Sequence, residues 1–336
     1  MCTGSLQMTG WVELDGRRLS SGEIREILDE RPHILSRFGG EFALAWNGCA
    51  ARDPLGVIPA ACPPGSILCD GKIIGRVAPD PAPATLEEAI VTAVALRSDE
   101  GVVALSGGVD SALIARLAGL PCVVVGTEGS HDPARAKAAA RAFGLPLATV
   151  SPGPEAVEEA LREVVGAIPD PNPLDTAIAT TLYFAAAWAG EHGHRRILAG
   201  QGADELFGGY ARYLTTGTLE EDLERDAADL SRQAERDQSV AALHGTAFSL
   251  PYLDTRVVRA ARAIPAHKKV RAGVRKYPLR QVAGRYIPAE IAWRGKKAMQ
   301  YGSGIWRMIQ QLARQNGYKK SVQGYLNQIR RAEYGI

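Results

Sequence analysis

Between Val102 and Ala199 four short apolar runs alternate with helical stretches, and this alternation constrains the fold more than any other feature. The runs are Val102–Leu105, Cys122–Val125, Leu147–Val150 and Arg196–Ala199. Ser111–Leu117 and an alanine-rich stretch from Pro133 to Phe143 read as helices between them. Thr176–Gly190, also rich in alanine, stops at Glu191 and reads as a buried helix. Strands spaced in this way pair in parallel through crossovers, so the spacing predicts an α/β fold, a parallel sheet with helices on both faces. Ligands of such sheets bind beyond the carboxyl ends of the strands. Residues 215–336 read as a mostly helical C-terminal part, and no internal repeat is present.

The chain ahead of this pattern differs. Residues 79–86 read Pro-Asp-Pro-Ala-Pro-Ala-Thr-Leu, a stiff and extended connector. Before it, Trp11–Leu14 and Phe42–Trp46 alternate as short strands do, and Ser21–Asp29 has helical character. Asn47-Gly48 follows the second strand and marks a tight hairpin, because both residues tolerate positive φ. The expected division is a small N-terminal α+β domain over 1–78, a linker over 79–86 and the α/β domain over 87–336. A length of 336 residues suits two domains of roughly 150 each, and 46% hydrophobic against 23% charged residues supplies their cores.

Several classes fall away. No apolar run reaches the roughly 18–20 residues of a membrane helix, and the N-terminus lacks a charged start followed by an apolar stretch. The five cysteines (Cys2, Cys49, Cys62, Cys69, Cys122) are odd in number and form no C-x-x-C pair. Neither a disulfide framework nor a structural zinc site is expected, and the default location is a reducing cytoplasm. A net charge of +2 gives no sign of a nucleic-acid partner. The charge is nonetheless uneven. Lys268–Lys297 carries ten basic residues against Glu290 alone, a phosphate-binding wall or a cationic surface. Thr218–Asp237 holds eight acids against three arginines and reads as a solvated helix face.

Two loops could carry chemistry. The first is Leu105-Ser106-Gly107-Gly108-Val109-Asp110-Ser111, after one strand and at the start of one helix. Paired glycines let the backbone turn and present N–H groups with no side chain in the way. The helix start adds donors and a positive dipole end, which together suit a phosphate chain. Asp110 beside phosphates calls for a divalent cation to join them, and is a magnesium-ligand candidate. The alternative is a plain Gly-Gly turn with an Asp/Ser helix cap. The second loop is Ala199-Gly200-Gln201-Gly202-Ala203-Asp204-Glu205-Leu206-Phe207-Gly208-Gly209-Tyr210, after the fourth strand. Asp204 is placed to share a metal with Asp110, or else Asp204-Glu205 is an acidic pair favoured by a helix start. No G-x-x-x-x-G-K-[ST] element occurs, and Gly200-x-Gly202 meets Glu205 where a dinucleotide fingerprint needs a small residue.

Together the loops resemble the asparagine synthetase family. The first is similar to its pyrophosphatase-type ATP loop, and G-x-G-A-D-E-L-F-G-G-Y in the second is similar to its second signature. Val125-Gly126 with Gly129-Ser130-His131-Asp132, Arg236-Asp237, Leu250-Pro251-Tyr252-Leu253-Asp254, Lys276-Tyr277-Pro278-Leu279-Arg280, and Arg294-Gly295-Lys296 with Gly302-Ser303-Gly304 resemble further family segments in order and spacing. The resemblance covers residues 85–310 and implies a pyrophosphatase-loop nucleotide-binding fold. It implies a carboxylate attacking the α-phosphate of ATP, loss of pyrophosphate, and attack of an amine on the acyl-adenylate. It also implies roles: Leu105, Ser106, Gly107, Gly108, Asp110, Ser111, Val125, Gly126, Ala199 and Gly200 at the nucleotide, Asp110 and Asp204 on Mg2+, and Lys276 as the catalytic lysine.

Three positions depart from the family. Gln201 stands where asparagine synthetases carry an acid, and an amide has no proton to accept or give near neutral pH. Ala247 and Ser249 replace a Glu/Arg pair, either a salt bridge lost or an acceptor pocket changed. In the N-terminal domain Gly39–Trp46 and Ala51–Gly56 resemble strands of the family's glutaminase domain, with Cys2 at the place of its nucleophile. That nucleophile needs a free terminal amine, so a retained Met1 would block it. Neither an R-G-P-D nor an N-G-E-I segment is present, and a shortened structural cap is the expectation. The expected partners are a small carboxylate and ammonia or an amine, with a homodimer or a separate ammonia-supplying subunit as options. Two rivals remain: the same adenylation on a different acceptor, as in β-lactam synthetases, and a regulatory subunit that has lost catalysis.

Overall fold

The computed structural model describes residues 5–295 and 299–335. Its strands are β1 (Gln7–Leu14), β2 (Arg17–Arg18), β3 (Gly39–Trp46), β4 (Cys49–Arg52), β5 (Ser66–Cys69), β6 (Lys72–Arg76), β7 (Val102–Ala104), β8 (Cys122–Val125), β9 (Leu147–Val150), β10 (Arg196–Leu198) and β11 (Ala247–Ser249). The helices up to the acidic stretch are α1 (Ser21–Glu30), α2 (Leu86–Ala95), α3 (Val109–Ala118), α4 (Asp132–Phe143), α5 (Pro154–Ala167), α6 (Pro173–Glu191), α7 (Ala203–Phe207), α8 (Leu219–Ala228) and α9 (Leu230–Ala242). Seven more follow: α10 (Thr255–Arg262), α11 (Ala266–Lys269), α12 (Tyr277–Ala283), α13 (Ala289–Ala292), α14 (Met299–Gly302), α15 (Ile305–Gln315) and α16 (Val322–Tyr334). They form two compact units. One gathers Met1–Asp99, Gln201–Glu235 and Ser249–Pro278, the other Glu100–Gly200, Arg236–Phe248 and Leu279–Ile336.

The first unit is built on an antiparallel sheet in the order β2-β1-β3-β4-β5-β6. Asn47 and Gly48 make the β3–β4 turn at φ 43° and 76°, and Trp46 pairs with Cys49 across it. Two positive φ values in a two-residue loop match the right-handed twist of the strands, as the Asn-Gly pair predicts. Ile24, Ile27 and Leu28 of α1 pack with Phe38, Phe42 and Leu44. Capping boxes start α1 (Ser20 with Glu23) and α2 (Thr85 with Glu88), satisfying first-turn N–H groups that would otherwise lack partners. The cysteine count misled on one point. Cys49 and Cys69 stand opposite each other in the β4–β5 register and are joined as a disulfide. Neighbouring strands brought them together, which no local spacing could show.

The second unit carries the expected parallel sheet. Its strands lie in the order β11-β10-β7-β8-β9, and the β10–β7, β7–β8 and β8–β9 pairs are all parallel. Helices α3, α4 and α6 pack on it. A helical core of Val157, Leu161, Ile305, Ile309, Leu312, Tyr325 and Leu326 joins α5, α15 and α16. The acidic stretch does form helices, but only part of it is solvated. Glu220, Glu221 and Glu224 are exposed, whereas Asp222, Arg236 and Asp237 are buried. Asp222 pairs with Arg225 and accepts from the Thr216 hydroxyl, while the Arg236 guanidinium lies 2.5 Å from Asp175 and 2.8 Å from Asp237, so the buried charges compensate each other.

Candidate active site

In the second unit the chain leaves β7 in two directions, toward β8 on one side and β10 on the other. The carboxyl end of β7 is therefore the topological switch point, where ligands of such sheets bind. Leu105–Gly108 emerges there, and Ala199-Gly200 emerges from adjacent β10. Gly107 has φ 75°, and a Cβ on it would fall 2.5 Å from the carbonyl carbon of Arg135. Only glycine allows that turn under α4. Gly108 is the residue before α3 and offers no side-chain cap. The first-turn N–H groups of α3 and its positive dipole end form a terminus of the kind that can hold an anion. Ser111 ties the loop, its hydroxyl lying 3.1 Å from both the backbone N and the hydroxyl of Ser106. Asp110, 8% exposed, occupies the first turn, and a Cβ on Gly200 would sit 3.1 Å from its Cβ.

The Val125-Gly126 segment closes against Gly302-Ser303-Gly304 within the same unit. The Thr127 N–H donates to the Ser303 carbonyl at 2.8 Å and the His131 N–H to Gly302 at 3.1 Å. A Cβ on Gly302 would lie 2.3 Å from Asp132 Oδ1, and one on Gly304 2.2 Å from Thr127 Oγ1. Two segments that resemble the family separately in sequence are thus one packed structure, with glycine where the Asp132 and Thr127 side chains leave no room for a Cβ.

In the first unit Asp204 and Lys276 are brought together beside a second glycine-built turn, which Gln201 enters. Gly202 (φ 85°) precedes α7, and a Cβ on it would meet Leu253 Cδ2 at 2.4 Å. Lys276 is not a surface lysine. It is 1% exposed, and its Nζ lies 2.9 Å from Asp204 Oδ1. Gly209 folds over the pair: a Cβ there would be 1.7 Å from Asp204 Oδ1 and 2.1 Å from Lys276 Cε. Arg275 holds this cover by donating to the Gly209 carbonyl at 2.7 Å. Lys276 itself sits at φ 57°, a conformation that costs a non-glycine residue about 1–3 kcal/mol and that its surroundings must impose. The side-chain nitrogen of Gln201 is buried with no hydrogen-bond partner among the described residues.

Beside the pair, Tyr210 donates to the buried Glu205 carboxylate. Burial, reinforced by the charge of Asp204, raises the Glu205 carboxyl above the ordinary range, and burial raises the Tyr210 phenol as well. Arg212 stacks over the Tyr210 ring at 4.4 Å. Sequence reasoning missed this pair, although Gly208-Gly209-Tyr210 was in view; alternation and spacing do not report which polar side chains become buried. Ser249 is explained as well. Its hydroxyl donates to Glu41, so this departure from the family pattern has a structural partner within the unit. Cys2 and Lys296 lie outside the described residues.

The family model described as asparagine synthase matches residues 85–239 and 218–330. The chain is 36% identical over 270 residues to a putative glutamine-hydrolyzing asparagine synthetase of Methanocaldococcus jannaschii, covering 67% of this chain and 50% of that one. It is 30% identical over 263 residues to the carboxyethyl-arginine beta-lactam-synthase of Streptomyces clavuligerus, covering 75% of this chain and 48% of that protein. Asparagine synthetase B of Escherichia coli is 25% identical over 227 residues, 60% of this chain and 41% of its own length. The chain belongs to the asparagine synthase family. It spans about half the length of the curated relatives it matches.

Proposed function

We propose that this protein is an ATP-dependent carbon–nitrogen ligase: it adenylates a small carboxylate, aspartate or a similar acid, releases pyrophosphate, and forms an amide with ammonia or an amine. The observation that carries this reading is the ion pair of buried Lys276 with half-buried Asp204 beneath Gly209, on residues that resemble the family's own segments. A lysine fixed in place before reaction stabilises charge that grows on phosphate oxygens without reorganising at that moment. The loop from Ser106 to Ser111 would hold the phosphates through backbone N–H groups and the start of α3. By the family resemblance Asp110 and Asp204 are each a candidate ligand of Mg2+, which when bound would neutralise phosphate charge. No group of three or more His, Cys, Asp or Glu gathers into a metal cage among the described residues. A single carboxylate such as Asp110 suits magnesium, which keeps water and phosphate oxygens in its shell and needs only one or two carboxylates. The cytoplasm, where ATP and amino acids are supplied, is the location this reading assigns.

The test is pyrophosphate exchange into ATP with a panel of carboxylates that includes aspartate. Exchange with none of them would overturn the ligase reading. A second acceptor class is favoured by one observation, Gln201 at the position of the family acid. Gln201→Glu should raise aspartate-dependent amide formation in a drifted asparagine synthetase. No gain would favour an acceptor of the β-lactam synthetase kind. Free ammonia or an amine, not glutamine, is the proposed donor, because of the glutaminase's catalytic groups only the nucleophile position, Cys2, has a counterpart in this sequence. Glutamate release from glutamine that disappears on Cys2→Ala would reverse that assignment.

A further inference from the structure

The N-terminal sheet places one carboxylate where no surface cap would need it. Glu41 of β3 is 2% exposed, and both its oxygens are filled. Oε1 accepts from Arg97 Nε at 2.9 Å and from the Leu250 N–H at 2.7 Å. Oε2 accepts from Trp11 Nε1 at 3.1 Å and from the Ser249 hydroxyl. Arg97, 1% exposed, reaches on to Asp254 at 3.0 Å, and Asp254 caps α10 through the Arg256 N–H at 3.0 Å. Glu41 thus holds both ends of Leu250-Pro251-Tyr252-Leu253-Asp254, one directly and one through Arg97. The middle of that segment is the bed of the loop before Lys276's partner. Leu253 fills the space that a Gly202 side chain would take, and Tyr252 packs edge-on against Phe207 of α7 at 6.0 Å. Helix α7 carries Asp204.

We propose that Glu41 is a positioning residue for the Asp204–Lys276 pair, acting through residues 249–254; the proposal rests on the ligase reading for its effect on rate. A buried carboxylate with four donors fixes the backbone it holds, because loss of any acceptor leaves a desolvated donor without a partner. The N-terminal sheet is then an integral support of the reaction site. This role does not need Cys2.

Two variants test it. Ser249→Ala removes one donor and leaves the fold's charges intact, while Glu41→Gln removes the charge and keeps one acceptor oxygen. In pyrophosphate exchange with Mg-ATP and aspartate, Glu41→Gln should lower kcat at least tenfold with KM for ATP within twofold, and Ser249→Ala should lower kcat severalfold. Amide hydrogen exchange supplies a readout independent of activity. Exchange across 202–209 should rise in both variants, with 109–118 in the other unit unchanged. An unchanged rate of exchange across 202–209 would overturn the proposal, and so would an equal rise in both segments, which would report general loosening. If the parent shows no pyrophosphate exchange, the ligase reading fails, and the amide pattern alone decides whether Glu41 positions α7.

Discussion

At the scale of single residues, the site depends on glycines placed where another atom already occupies the Cβ position. Gly209 is the extreme case, since any larger residue would collide with both members of the Asp204–Lys276 pair. Lys276→Ala should lower the rate of pyrophosphate release by a factor of about 10²–10³, the typical loss of about 3–4 kcal/mol for one electrostatic contact to the transition state. Binding of ATP should change much less. Gly209→Ala should reproduce the rate defect, because the added methyl cannot coexist with the pair's 2.9 Å contact. Single-turnover kinetics on both variants checks this; near-parental rates would remove Lys276 from the chemistry. Gly209, Asp204 and Lys276 were singled out in the sequence by the segments that resemble the family, not by composition. The burial of Lys276 was not legible, because a basic run looks the same whether its lysines face water or a carboxylate.

At the scale of elements, the hairpin and the helix starts were legible and the sheet neighbours were not. Asn47-Gly48 and the two capping boxes are local, so a few consecutive residues specify them. The Cys49–Cys69 disulfide needs β5 beside β4, and β5 follows an irregular stretch in which Asp53 accepts the N–H groups of Leu55, Val57 and Ile58. It closes a loop of 20 residues, and its loss should cost about 3 kcal/mol through the freer unfolded chain. Denaturant unfolding of Cys49→Ser without reductant measures that cost. Alkylation of the unfolded parent should modify three of the five cysteines before reductant and all five after. Five beforehand would show that the pair is reduced in the purified protein. In the native state Cys122 should resist alkylation, since burial pushes its thiol up to about 12.

At the scale of the whole molecule, ligand binding should appear as stability. A ligand that binds only the folded state adds about 2.7 kcal/mol at a concentration near 100 Kd. Mg-ATP should therefore raise the unfolding midpoint of the parent, and EDTA should reduce that rise. Asp110→Asn keeps the size of the side chain and removes its charge. The magnesium-dependent part of the rise should vanish in this variant, as followed by calorimetry with ATP in the presence and absence of magnesium. A full magnesium-dependent rise in Asp110→Asn would take Asp110 out of the metal site.

By itself the sequence determined what is periodic or local. Apolar runs separated by helices required a parallel sheet, and glycine doublets at the strand ends required backbone turns able to meet an anion. Local pattern singled out Asp110, and the family resemblance added Asp204 and Lys276. Tertiary structure alone decided how distant segments combine. It added residues 201–235 and 249–278 to the compact unit of the N-terminal sheet, and set Glu41 against Ser249 and Leu250 across 208 and 209 positions of chain. The physical reason is that a buried charge is tolerated only where several donors converge on it, and convergence is a property of the folded chain. No window of sequence contains Glu41, Arg97 and Asp254 together; only packing brings them to one point.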